Sequence, residues 1–202
     1  MKKIVSLTLA ALLVFALAAC GQGGEEKAGG WTLCEGGITD EARQAFDGAT
    51  EGLVGVNYTP LVLLGTQLVS GTNYSFLCEA TVVYPDAQPY YAVVTVYRDL
   101  QGKAEILNIA PIDIGDAAQS GEIRAAEPPE GSLMGGWYVD RDSSVETEGA
   151  YLHLASQVVS GKNHCVLCEG WKLCFIYEDL GGKTELTKSV ELDLGALARP
   201  AE

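Results

Sequence analysis

Positive charge is scarce in this chain of 202 residues, which has 13 lysines and arginines against 27 aspartates and glutamates and a formal net charge of −14. No cluster of basic residues interrupts the acidic balance. Such a surface repels phosphate groups, so the composition argues against nucleic-acid binding and against electrostatic docking on anionic lipids. An acidic surface keeps a protein soluble and can steer a basic partner towards it.

The sequence also lacks the short motifs of common enzymes, since it has no Gly-x-Ser-x-Gly, no His-Glu-x-x-His and no phosphate-binding loop. Its only histidines are His153 and His164. His164 precedes Cys165, and neighbouring residues of a strand point to opposite faces, which separates this nucleophile and base. We therefore expect a non-enzymatic protein without a cofactor. An enzyme would require a site that no motif reveals.

The first residues are typical of a signal peptide, because Lys2 and Lys3 precede an apolar run, residues 4–17, that is short for a bilayer span. Residues 17–21, Leu-Ala-Ala-Cys-Gly, resemble the lipobox of bacterial lipoproteins, whose cysteine is acylated and begins the mature protein. The resemblance implies a signal peptide over residues 1–19 and a lipid on Cys20 that alone holds the protein at a cell membrane, facing outside the cytoplasm. The alternative is an ordinary signal peptide with Cys20 incidental. Residues 20–28, rich in Gly and Glu, predict a flexible tether.

Four motifs occur twice in the rest of the chain: Gly-Gly-Trp, Gln-x-Val-Ser-Gly-x-Asn, Tyr-x-Asp-Leu-x-Gly-Lys and Asp-x-Gly. The first copies begin at Gly29, Gln67, Tyr97 and Asp113, and the second copies begin at Gly135, Gln157, Tyr177 and Asp193. The offset between the first three pairs falls from 106 to 90 to 80 residues, so the second copy is shortened. This repeat predicts two related modules, residues 29–115 and 133–202, joined by a linker over residues 116–132.

The first copy has the pattern of one helix followed by four antiparallel strands. Apolar residues at helical spacing follow Thr39 and Asp40, either of which is a suitable cap: Ala42, Ala45, Phe46, Ala49 and Leu53. Strand patterns cover residues 56–69, 73–84, 90–97 and 104–109. Residues 138–149 of the second copy lack the helical spacing. The predicted fold class is α+β with two modules, each an antiparallel sheet, the first wrapped on one helix and the second with little or no helix.

Without a helix, the apolar residues of the second sheet need another cover. They are Val166, Trp171, Leu173 and Phe175. Because large apolar patches are rarely left in contact with water, we expect these residues to pack on the first module or on a second chain.

The two hairpin motifs resemble the Gln-x-Val-x-Gly first binding loop of the cystatins. They are Gln67-Leu68-Val69-Ser70-Gly71 and Gln157-Val158-Val159-Ser160-Gly161. The order of elements over residues 29–109 is also similar to a cystatin. Cystatins insert an N-terminal glycine segment and two hairpin loops into the cleft of papain-like cysteine peptidases. The resemblance implies a partner-binding role for Gly29, Gly30 and both hairpins, with a protein partner such as a cysteine peptidase.

Other interpretations stay open at these positions. Many cystatins carry Pro-Trp in the second hairpin, where this chain has Leu100-Gln101-Gly102 and Leu180-Gly181-Gly182. Folding alone would also explain the motif if Val69 faced the core and Gly71 served a turn. The tryptophans of the Gly-Gly-Trp motifs are either core anchors or exposed contacts. The alternative function is a non-inhibitory binding or adhesion module on the same scaffold.

Five cysteines remain besides Cys20: Cys34, Cys78, Cys165, Cys168 and Cys174. Their odd number leaves at least one outside any internal disulfide. Cys165 and Cys168 lie three residues apart on a predicted strand and face opposite ways, so we expect no metal site. If Glu169-Gly170 is a two-residue turn, Cys165 lies opposite Cys174, and we predict a disulfide between them. Cys78 and Cys168 match between the copies and are expected to be small buried residues.

Overall fold

The computed structural model describes residues 29–35, 37–123 and 136–199, which form two five-stranded antiparallel sheets and three short helices. The elements of the first copy are β1 (Trp31–Leu33), α1 (Asp40–Thr50), β2 (Val56–Val69), β3 (Gly71–Val82), β4 (Tyr90–Arg98), β5 (Ala104–Ile112) and α2 (Ile114–Ser120). Those of the second copy are β6 (Tyr138–Val139), β7 (Ala150–Val159), β8 (Gly161–Cys168), β9 (Lys172–Glu178), β10 (Thr184–Glu191) and α3 (Leu194–Leu197).

The sheet-rich α+β class predicted from the sequence is confirmed. Strands β1 to β5 form one sheet in chain order, named sheet A, and strands β6 to β10 form the other in chain order, named sheet B. Every neighbouring pair is antiparallel. The predicted signal peptide, Cys20, the tether and residues 124–132 of the predicted linker lie outside the described residues.

Helix α1 covers the outer face of sheet A. The Thr39 side chain caps it by accepting a hydrogen bond from the Ala42 amide at 3.2 Å, and Asp40 adds negative charge to the first turn. Phe46 packs edge-on against Phe76 of β3, with ring centroids 5.0 Å apart. The helix and its Thr39 cap were therefore correctly predicted from apolar spacing, but the helix ends at Thr50, and Leu53 lies beyond it and is 43% exposed. In the second copy, residues 140–149 contain no helix.

One continuous apolar core lies between the two sheets. From sheet A it includes Val62, Leu64, Leu77, Tyr91 and Val93. From sheet B and its β8–β9 turn it includes Leu154, Cys165, Leu167, Trp171, Leu173 and Phe175. The Tyr91 hydroxyl also donates to the Leu154 carbonyl oxygen across this interface at 2.8 Å. Trp171, Leu173 and Phe175 pack on the first copy, which was one of the two expected partners for these residues. Val166 was misplaced, since strand alternation puts it on the outer face of sheet B.

The repeated Asp-x-Gly motif begins a short helix in each copy. The Asp113 carboxylate accepts from the Asp116 amide at 2.8 Å and caps α2, while Asp193 accepts from the Ala196 amide at 3.1 Å and caps α3. The predicted linker therefore starts inside α2. Seven residues are too few to show helical periodicity, which is why the sequence pattern missed this helix.

Each of these helices packs beside the Gly-Gly-Trp tryptophan of the other copy. Leu194 of α3 approaches Gly65 so closely that an added Cβ would lie 2.8 Å from its Cδ1, with the Trp31 ring 3.5 Å away. A Cβ added at Gly115 of α2 would lie 3.5 Å from the Trp137 ring. Both tryptophans are partly buried against the core between the sheets, which confirms their interpretation as core anchors.

Candidate binding edges

The hairpin at residues 67–71 projects from one edge of sheet A. β2 turns into β3 at Ser70, where Val69 pairs with Gly71. The side chains of Leu68 and Val69 are 58% and 42% exposed, so the tip presents two aliphatic groups to solvent. The alternative explanation of the motif, in which Val69 faces the core, is therefore wrong at this residue.

The N-terminal glycines and the β4–β5 turn lie at the same edge. Arg98 at the end of β4 pairs with Thr72 on one side and with Ala104 on the other, which brings the turn beside the hairpin. Leu100 in this turn is 79% exposed. Gly29 donates its amide to the Leu68 carbonyl oxygen at 3.3 Å. We name Gly29, Gly30, residues 68–71 and Leu100 together edge A.

Gln67 ties the glycine segment to the hairpin. Its Nε2 donates to the Gly29 carbonyl oxygen at 2.7 Å, and its Oε1 accepts from the Asn73 Nδ2 at 2.7 Å. The same amide thus fixes both the N-terminal segment and the start of β3. Folding alone explains why the motif contains Gln67 and Asn73.

Gly71 and Tyr97 shape the tip. Gly71 has a φ of +133°, and a Cβ there would collide with the Arg98 carbonyl oxygen and lie 2.7 Å from the Tyr97 ring. The Tyr97 hydroxyl donates to the Ser70 carbonyl oxygen at 2.7 Å and holds the tip in place. The expectation that Gly71 is needed to form a turn is confirmed. Leu68, Val69 and Ser70 are the exposed residues of the motif, and Leu68 and Val69 are its exposed apolar side chains.

Sheet B repeats this arrangement at residues 157–161. Asn163 donates to Gln157 at 2.8 Å, and the Tyr177 hydroxyl donates to the Ser160 carbonyl oxygen at 2.6 Å. Gly161 has a φ of +123° and the same steric demand. The exposed aliphatic side chains are Val158 at 61%, Val159 at 43% and Leu180 at 89%. We name residues 158–161 together with Leu180 edge B.

The two edges lie on different sides of the molecule. Helix α3 follows the end of β10 that is remote from edge B, yet its Leu194 packs beside Trp31, which pairs with Gln67 near edge A. Helix α2 likewise follows the end of β5 that is remote from edge A and packs beside Trp137, near edge B. The end of each sheet that is remote from its own edge thus lies beside the edge of the other sheet, so edges A and B are at opposite ends of the molecule.

A polar network that the sequence patterns did not reveal covers the outer face of sheet B. His153 hydrogen-bonds the Asp140 carbonyl oxygen through Nδ1 and the His164 Nδ1 through Nε2, the latter at 3.0 Å. The His164 Nε2 contacts the Glu178 carboxylate at 2.9 Å. Leu63 and Tyr74 occupy the matched positions of sheet A, beneath α1. The second copy therefore has imidazoles where the first has the apolar contacts of a helix.

Asp140 anchors the segment that replaces the helix. Its Oδ2 accepts from Ser143 at 2.6 Å and from Ser156 at 2.7 Å, and it pairs with Lys162 at 3.2 Å. Burial opposes the charged form, yet these hydrogen bonds lower the pKa of Asp140 well below its ordinary value. Burial lowers the pKa of His153, against the hydrogen bond to the Asp140 backbone. The network is satisfied internally, which suits a structural role.

This network could have been anticipated from one comparison. His153 and His164 stand where the first copy has Leu63 and Tyr74, and both pairs lie on one face of adjacent strands. Along the chain, His164 has only Cys165 as a reactive neighbour, so its contact with His153 becomes visible only when the two copies are aligned. Among the described residues, no group of three or more His, Cys, Asp or Glu side chains could hold a metal ion.

The predicted disulfide between Cys165 and Cys174 is wrong in this structure. Cys165 pairs with Phe175, and Cys174 pairs with Val166. The turn has three residues rather than two, because Gly170 and Trp171 both adopt positive φ, at +69° and +54°. That extra residue shifts the register by one, so the two cysteines face opposite ways.

The matched cysteines of the two copies are buried as expected. Cys78 is fully buried, and Cys168 is 5% exposed. Burial raises the pKa of the Cys78 thiol far above its ordinary value. A thiol in such surroundings behaves as a small apolar side chain.

Comparisons of the chain with protein-family models, with curated proteins and with solved structures found no match. The similarity to cystatins is therefore a resemblance in motif and order of elements. In the part of the chain that the structure describes, no helix is long and apolar enough to cross a membrane.

Proposed function

We propose that this protein consists of two cystatin-like modules that bind a protein partner through edges A and B, the candidate partner being a papain-like cysteine peptidase. The observation that carries the proposal is the exposure of Leu68 and Val69 at the hairpin tip, on the same edge as Gly29 and Leu100. In this proposal the protein is a binding protein and carries out no catalysis.

The tip suits binding because its backbone is fixed before a partner arrives. Gln67 holds the glycine segment, and Tyr97 holds the Ser70 carbonyl oxygen. A preorganised loop loses little conformational entropy on association, so more of the contact energy appears as affinity. Apolar contact by Leu68 and Val69 then adds about 25 cal/mol for each Å² removed from water.

The second turn is the weak part of each edge. Leu100 and Leu180 stand where an aromatic residue would give a larger contact, and aromatic residues dominate the energetics of most interfaces. We therefore propose a weaker association than a cystatin with Pro-Trp would give. An edge that binds without blocking the peptidase cleft would correspond to the non-inhibitory alternative.

We further propose that a lipid on Cys20 holds the protein at the outer side of a cell membrane. Nine tether residues, 20–28, would reach at most about 30 Å when fully extended. Because Gly29 belongs to edge A, this tether would leave the folded part at edge A. Edge B would then be the less hindered edge of the anchored protein.

Titration of papain with the chain from Gly21 to Glu202 tests the binding proposal. We expect the wild-type chain to reduce hydrolysis of a fluorogenic peptide substrate, and Val69→Asp together with Val159→Asp to abolish the effect. Leu107→Asp is the matched control, since Leu107 is 39% exposed near the middle of β5, away from edge A and from edge B. It should inhibit like the wild type.

The proposal is contradicted if the double variant inhibits as well as the wild type. Binding of papain that is lost in the double variant, without any effect on hydrolysis, would support the non-inhibitory module instead. An absence of binding would remove papain-like peptidases as the partner class.

A further inference from the structure

Two cysteines lie side by side on the outer face of sheet B. Cys168 on β8 and Cys174 on β9 are diagonal neighbours, because Cys168 pairs with Lys172 and Cys174 pairs with Val166. They share an apolar cluster on that face and are 5% and 8% exposed. Their side chains therefore lie on one face of the hairpin as close neighbours.

The first copy has only one of these thiols. The positions matched to Cys168 and Cys174 are Cys78 and Val94, which lie beneath α1 in the core of sheet A. Residues 140–149 of the second copy form no helix, and a cysteine stands in place of that valine. The extra thiol thus occurs where the sheet has lost the contacts that hold the same strands in the first copy.

We infer that Cys168 and Cys174 form a disulfide when the chain folds in the presence of a small-molecule disulfide such as oxidised glutathione. One thiolate attacks the glutathione disulfide and releases one reduced glutathione. The second thiolate then displaces the other glutathione from the mixed disulfide. Two thiols of the chain are oxidised, and one glutathione disulfide is reduced to two thiols.

The bond should form during folding and much more slowly afterwards. Burial, and then the neighbouring Cys174 thiol, raise the pKa of Cys168 to about 12, so few thiolates are available in the folded hairpin. In the unfolded chain both thiols are exposed. Closing the short loop 169–173 would then link the two strands of the β8–β9 hairpin. Within the described residues, Val145 of the segment after β6 packs on the apolar cluster that contains both cysteines.

Oxidative refolding followed by peptide mapping tests the inference. The chain from Gly21 to Glu202 is unfolded with reductant, refolded with reduced and oxidised glutathione, alkylated and cut with trypsin. Cleavage after Lys172 separates residues 163–172 from residues 173–183, and a disulfide keeps the two peptides together. We expect this linked pair in the wild type and in Cys165→Ala.

The linked pair should be absent in Cys168→Ala and in Cys174→Val, which restores the residue of the first copy at that position. A link that persists in Cys168→Ala and disappears in Cys165→Ala would overturn the inference in favour of Cys165. Two separate alkylated peptides in the wild type would overturn it as well. The oxidant is supplied in the test tube, so the outcome does not depend on export or on partner binding.

Discussion

Replacing His153 with leucine, the residue at the matched position Leu63, should remove an acid-sensitive contribution to stability. His153 is 8% exposed, and burial lowers its pKa below the ordinary value of 6.5. The unfolded chain therefore takes up a proton below about pH 6.5 that the folded protein resists. The contribution of His153 is fully present above that pH and is lost as the pH falls.

The size of the effect follows from the proton count. One proton bound only by the unfolded chain changes the free energy of unfolding by about 1.4 kcal/mol for each pH unit. Between pH 6.5 and pH 5.0 the loss is thus at most about 2 kcal/mol. At neutral pH the variant should itself be less stable by about 1 to 3 kcal/mol, because it leaves polar groups of Asp140 and His164 without partners.

Urea unfolding followed by tryptophan fluorescence at pH 7.0 and pH 5.0 measures both effects. We expect the stability difference between wild type and His153→Leu to shrink at pH 5.0. The low pKa of Asp140 keeps it ionised at both values, and it is common to the two proteins. An identical pH dependence in the two proteins would show that His153 makes no acid-sensitive contribution to stability.

Three further outcomes follow from particular contacts. Gly71→Ala should destabilise the protein by at least about 1 to 3 kcal/mol because of its φ and its clash with Arg98, while Gly37→Ala, which meets no atom within 4 Å, should leave urea unfolding unchanged. Phe46→Ala should lower the free energy of unfolding by about 3 to 5 kcal/mol, since it removes the main contact of α1 with Phe76; a loss below 1 kcal/mol would contradict that packing. Leu100→Trp should tighten papain binding severalfold in calorimetry, and unchanged affinity would exclude this turn from the interface.

Alternation and helical spacing were sufficient to predict α1, the hairpins and the long strands of the first copy. These patterns are local, and burial on one face of each element determines them. The same local patterns could not reveal which face of sheet B meets sheet A, so Val166 was grouped with Trp171. That assignment depends on packing between residues far apart in the chain.

The failures at the cysteines and histidines have a common physical cause. Because the turn has three residues instead of two, the residue that pairs with Cys174 is Val166 and not Cys165. The third turn residue, Trp171, has a positive φ, which its residue type does not predict. His153 and His164 meet only because β7 and β8 pair, with Ser156 opposite His164. Cross-strand register therefore limits what sequence reasoning can say about side-chain chemistry here.

Our main proposal is that edges A and B contact the cleft of a papain-like peptidase. The most direct test is whether the chain protects the active-site thiol of papain. Papain is mixed with the chain from Gly21 to Glu202, and the rate of alkylation by iodoacetamide is measured alongside the integrity of the chain. We expect slower alkylation with an uncut chain, and no protection by the variant carrying Val69→Asp and Val159→Asp. Equal alkylation rates with the wild-type chain and with the variant, or rapid cleavage of residues 67–71, would contradict it.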